Sequence, residues 1–235
     1  MFLPPILRLI AAIADPQRLK QWEGKRARKM IEQRFGELKP NAYLTELGDR
    51  LAKHSNIEAR FFLCSSPLVN AGALPNGDIV VWKGLFDKLR AKPDQMAGVL
   101  AHELGHLKHE HYLRAVYWVV LLQFVLGMLA KPLAGALSRN IAGRILNVGF
   151  SRFRELQADD EAVVILERAD IDPRSLIGLF EGLDQQHQSP LAFLGTHPNP
   201  KKRAARIRSR FAVEAVEEDA PASHRNVIPF PTRRG

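Results

Sequence analysis

His102, Glu103 and His106 stand at a spacing that can carry out metal-assisted hydrolysis. An α-helix turns about 100° per residue, so two histidines four apart project within about 40° of each other and can hold one cation. Glu103 lies beside that clamp, where its carboxylate can take a proton from a water acidified by the metal. Two histidines and a water leave a zinc site one protein ligand short, so the chain must supply another Asp, Glu, His or Cys. A metzincin would need Gly at 109 and His at 112, but those positions are His109 and Tyr112. A deformylase-like site would need a ligand cysteine in its own motif, and Cys64, the single cysteine, sits in an apolar run without one. Glu155 and Asp159 remain, four apart on a predicted helix. One of them can bind the metal while the other supports a ligand from behind. His109 and His111 read as exposed histidines outside the site.

These residues need elements to bring them together. The polar, basic stretch Gln17 to Phe35 predicts an exposed helix ending near Gly36, and Leu44, Leu47 and Leu51 predict a second over Ala42 to His54. Ile57 to Cys64 reads as a strand, and the turn signal Asn76-Gly77-Asp78 leads into another over Ile79 to Trp82. Together they predict a small antiparallel sheet. Beyond it lie a helix over Leu85 to Ala91 and a longer one opening at Lys92-Pro93-Asp94, where a first-turn proline is favourable. Helical character continues to about Phe211. Val213 to Gly235 mixes acids, Pro, Ser and Arg without period and reads as a disordered tail. The expected class is α+β, predominantly helical, with a small sheet beside the helix of the histidine pair. The expected organisation is a helical arm over 1–39, a catalytic domain over 40–212 and the tail over 213–235.

The combination resembles metallopeptidase family forty-eight, the gluzincins of the HtpX-like and CAAX prenyl endopeptidase type. The carrying residues are Leu100-Ala101-His102-Glu103-Leu104-Gly105-His106 and a second motif of Ser151-Arg152, Glu155, Ala158-Asp159 and Ala162. Asn70-Ala71 with Leu74-Pro75 and Gly77 is similar to the family's substrate-side strand, and Thr196-His197-Pro198 with Arg203 to its C-terminal signature. Gly72 departs from the larger residue usual there. The resemblance implies a zincin-like fold and one zinc ion per chain, held by His102, His106 and Glu155. Asp159 would lie behind a zinc histidine, and Asn70 and Ala71 would belong to the strand that receives substrate. It implies a zinc metalloendopeptidase with Glu103 as base, acting on polypeptides, with membrane protein quality control as a setting. His197 is read as a donor to the oxyanion of the tetrahedral intermediate. The rival reading is a zinc-bearing holdase or scaffold for unfolded or membrane proteins, against which Glu103 argues, because a structural site needs no base.

Composition narrows the remaining classes. The chain has 235 residues, 46% hydrophobic and 25% charged, with 16 Gly and 15 Pro, which suits a folded globular protein. One cysteine excludes a disulfide-stapled scaffold. The net charge of +9 draws attention to nucleic acid and to an anionic membrane surface. Lys201 to Arg210 is strongly basic, yet no zinc-finger, RNP or glycine-loop motif accompanies it, so nucleic acid is set aside. Met1 to Ala14 is apolar but holds Pro4, Pro5 and Arg8 with no basic segment before it, so it does not read as a cleaved signal peptide, and a short membrane-touching arm stays open as an alternative. Ala115 to Ala130 is uncharged and, as a helix, about 24 Å long, short of the roughly 30 Å hydrocarbon core. Because His106 and Glu155 must share one metal, the chain between them would cross a bilayer an even number of times. Basic residues at Arg114, Lys131, Arg139 and Arg144 favour the cytoplasmic side. The expectation is membrane association with a cytoplasmic active site; the alternative is a soluble cytoplasmic protein with that run as buried core.

Overall fold

A computed structural model describes residues 14–115, 152–184, 197 and 199–218. Helix α1, Pro16–Phe35, starts at Asp15, whose side chain accepts the Arg18 amide at 2.9 Å, with Pro16 pre-set for the first turn. Helix α2, Ala42–Ser55, is capped by Asn41 through the Leu44 amide at 3.1 Å and stops at Asn56 in the left-handed region. Strands β1 (Leu38–Pro40), β2 (Arg60–Cys64), β3 (Ala71–Ala73) and β4 (Asp78–Trp82) form one sheet in the order β1-β2-β4-β3. Then follow α3 (Lys83–Leu89), α4 (Pro93–Lys108), α5 (Arg152–Arg168), α6 (Ser175–Asp184) and α7 (Pro200–Glu218). The class is α+β and mainly helical, as expected.

The sheet corrects one expectation. β2 and β4 run parallel, with Arg60 opposite Asp78 and Cys64 opposite Trp82; the antiparallel pairs are β1 with β2 and β3 with β4. The Asn76-Gly77 turn closes the β3–β4 hairpin, where Leu74 N–H donates to Asp78 O at 2.7 Å, so the chain between β2 and β4 is a crossover. Gly77 is required at that turn: its φ is +86°, and a Cβ would stand 2.8 Å from the Glu58 carbonyl oxygen.

Alternation along the strands divides the core. Phe61, Ile79 and Val81 join Leu44, Leu51, Leu100 and Leu104 in the larger cluster, while Phe62, Cys64, Val80 and Trp82 meet Ala27, Ile31 and Phe35 of α1. The sheet is thus covered on both faces, which is why all of β4 is buried. The boundary expected after residue 39 falls inside β1, and α7 runs on to Glu218, past residue 213.

Helix α4 is buried continuously from Met96 to His106, and each large apolar side chain in that run contributes about 1.5–3 kcal/mol. Gly105 sets how closely α5 approaches: a Cβ there would lie 2.7 Å from the Ala158 carbonyl oxygen and 3.0 Å from its Cα. That backbone contact brings the first turn of α5 up to the histidine face of α4. No helix among the described residues is long and apolar enough to cross a membrane. The run 115–130, from residue 116 onward, and the segments 1–13 and 219–235 lie outside the described residues.

Candidate metal centre

His102 and His106 project from α4 with their Nε2 atoms 3.0 Å apart, and Glu155 enters from the first turn of α5. Glu155 Oε1 is 3.5 Å from His106 Nε2, and its Oε2 is 3.5 Å from His102 Nε2. Ligand atoms about 2.1 Å from a tetrahedral zinc would stand about 3.4 Å from one another, and each imidazole nitrogen has a Glu155 oxygen near that separation. His197 completes the group: its Nδ1 is 3.1 Å from His102 Nε2 and 3.0 Å from Glu155 Oε2. One donor atom from each of these four residues lies within 4.8 Å of the others, a group able to hold a metal ion.

Charge gives an independent test. Glu103, Glu155 and Asp159 are each 1% exposed and, among the described residues, are met by one buried arginine, Arg203, leaving two negative charges uncompensated when the imidazoles are neutral and one when His102 is protonated. Burying unpaired charge is costly, and a divalent cation removes the imbalance. Glu103 Oε1 and Glu155 Oε1 are buried and accept no hydrogen bond, an arrangement that costs about 1–3 kcal/mol per group unless a ligand answers it.

Protonation follows the same fields. Burial pushes the Glu155 carboxyl up, but His197 and the hydrogen bonds from His102 and His197 outweigh it and hold it far below the usual range. Burial, and then the neighbouring His102, keep His106 well below the ordinary histidine value and neutral. At His102 burial and Arg203 act downward, yet contact with Asp159 and Glu155 prevails and raises it to about 9. The site that attracts a proton this strongly attracts a metal cation for the same reason.

The expected residues therefore converge: His102, Glu103, His106, Glu155, Asp159 and His197 form one buried cluster. Asp159 Oδ1 lies 3.0 Å behind His102 at Nδ1. Asn70 and Ala71 mark the start of β3, the edge strand packed against α4, and the Asn70 carbonyl accepts the Trp82 amide at 2.9 Å. A cavity of about 220 Å³ adjoins His106, lined also by Lys20, Ala73, Leu74, Tyr112 and Leu113.

Two residues exceed the roles read from sequence. Arg203 donates from Nε to Asp159 at 2.8 Å and sets its Nη1 3.1 Å from Glu155 Oε2, holding both acids. His111, read as exposed, is fully buried with its Nδ1 2.8 Å from His106 Nδ1. Extending α4 would carry residue 111 away from the ligand face, but the helix ends at Lys108 and Glu110 takes φ +51°, folding His111 back beneath His106. Arg203→Met should lower stability by about 3–5 kcal/mol in urea unfolding, because it leaves Glu155 and Asp159 buried without their cation. A change below about 1 kcal/mol would contradict that pairing.

The sequence model of Peptidase family M48 matches residues 38–211. The chain is 34% identical over 186 residues to the beta-barrel assembly-enhancing protease of Escherichia coli (strain K12), covering 72% of this chain and 38% of that protein. It is 32% identical over 167 residues to the mitochondrial metalloendopeptidase OMA1 of Arabidopsis thaliana, covering 69% of this chain and 33% of the relative. Metalloprotease YcaL of Escherichia coli (strain K12) is 34% identical over 152 residues, 61% of this chain and 59% of its own length. The chain thus spans less than two thirds of each of these relatives. Since the match runs from the first strand into the last helix and takes in every residue of the buried cluster, the chain belongs to peptidase family M48.

Proposed function

We propose that this protein is a zinc metalloendopeptidase that hydrolyses peptide bonds of polypeptide substrates. His102, His106 and Glu155 would hold one zinc ion per chain, and bound zinc supplies Lewis acidity toward a peptide carbonyl and toward water. The observation that carries the reading is Glu103: a carboxylate buried beside the ligand group, with Oε1 accepting no hydrogen bond. A structural metal site has no use for such a group, whereas hydrolysis needs one to take a proton from water and return it to the leaving amine. Asp159 supports His102, and Arg203 keeps Asp159 ionised and pairs with Glu155. We assign His197 to the oxygen that gains charge during attack, a role for a positioned hydrogen-bond donor. Its Nε2 lies 3.5 Å from Glu103 Oε1, so it is close to where the proton moves.

The substrate would lie extended along the edge strand β3, pairing main chain to main chain near Asn70 and Ala71. The cavity beside His106 would then receive one of its side chains. The name of the beta-barrel assembly-enhancing relative supports membrane protein quality control as the setting. Purified protein should cleave casein, lose that activity to a chelator and regain it on adding zinc. Cleavage that survives complete metal removal would contradict the reading, and zinc binding without any cleavage would favour the non-cutting holdase.

A further inference from the structure

A histidine can ligate through Nε2 only when its proton sits on Nδ1, so each ligand ring needs a partner that holds that proton. At His102 the partner is Asp159, 3.0 Å from Nδ1. Beside His106 Nδ1 stands another imidazole, His111, whose own Nδ1 is 2.8 Å away. Two ring nitrogens at that distance share one proton, and the far side of His111 decides which ring owns it. His111 Nε2 is 3.2 Å from Gln157 Oε1, a carbonyl oxygen that can only accept. His111 therefore carries its proton on Nε2 and offers a lone pair at Nδ1. The shared proton falls to His106 Nδ1, and His106 Nε2 faces Glu155 Oε1 and His102 Nε2 as a lone pair. The opposite tautomer would set two lone pairs against each other at 2.8 Å and put a proton where the ion belongs.

We propose that Gln157 and His111 are positioning residues that fix the metal-binding tautomer and ring orientation of His106. This rests on the zinc-site part of the reading above. Glu155 and Gln157 lie two residues apart on α5, so one docking event, at Gly105 against Ala158, delivers both a ligand and the acceptor that prepares another ligand.

The test is zinc affinity by competition with a chromophoric chelator, which needs no catalysis. His111→Phe keeps ring bulk and removes the acceptor, and should weaken zinc about 10–100-fold, as loss of an outer partner of a metal ligand commonly does. His111→Asn, whose carbonyl can accept from His106 Nδ1–H, should recover most of the loss. Gln157→Leu should weaken binding in the same direction and by less. Wild-type affinity in His111→Phe would overturn the proposal, as would His111→Asn binding no better than His111→Phe, the result of a purely structural role. Should His111→Phe fail to fold, unchanged affinity in Gln157→Leu would overturn it. A wild-type protein that binds no zinc would sink the metal site itself, a result distinct from failure of the relay alone.

Discussion

Glu103→Gln should reduce peptide hydrolysis about 10²–10⁴-fold while leaving one zinc per chain, the range that general acid–base catalysis typically supplies. The amide keeps the shape of the carboxylate and cannot take a proton. Glu103 stands outside the group of four donor residues, so its charge is not needed to seat the ion. Removing that negative charge also lowers the excess in the cluster, where three buried acids face Arg203. Folding stability should therefore hold or rise, and the rate should still collapse. Casein cleavage and metal analysis on the same preparation check it, and hydrolysis at the wild-type rate would remove Glu103 from the mechanism.

Glu155→Gln should behave differently, losing zinc as well as activity. A neutral amide is a poor ligand for a cation that prefers an anionic oxygen, and the loss should exceed the about 10–100-fold typical of an outer-shell change. The substitution also strips Arg203 of one partner and leaves it with Asp159. Chelator competition gives the affinity directly. Unchanged zinc affinity would show that the ion, if bound, sits elsewhere.

Much of this site is legible in sequence because it is built on helices, where spacing translates into direction. His102 and His106 share a face of α4, and Glu155 and Asp159 share a face of α5, so each half could be drawn before the halves were joined. What joins them was less visible. Gly105 looks like a weak spot in a helix until the Ala158 backbone is seen against it, and Arg203 gains its meaning only when α7 brings it between two acids from α5. His111 is not legible in this way, because the helix ends at Lys108 and the chain turns at Glu110 before reaching it.

The sheet shows the other limit. β2 is apolar and aromatic and β4 is rich in β-branched residues, so both stand out, whereas Ala-Gly-Ala in β3 has too little bulk to signal a strand and Leu-Lys-Pro in β1 is short and holds a proline. Without β3 the Asn76-Gly77 turn is assigned to the wrong pair of strands, and a parallel pair reads as antiparallel. Local composition marks where the chain extends; pairing depends on segments far apart in the chain.

The most direct measurement is zinc per chain set against casein hydrolysis in wild type, Glu103→Gln and Glu155→Gln prepared in parallel. The account predicts one zinc and cleavage in wild type, one zinc without cleavage in Glu103→Gln, and neither in Glu155→Gln. Zinc retained in full by Glu155→Gln, or cleavage at the wild-type rate by Glu103→Gln, would contradict it.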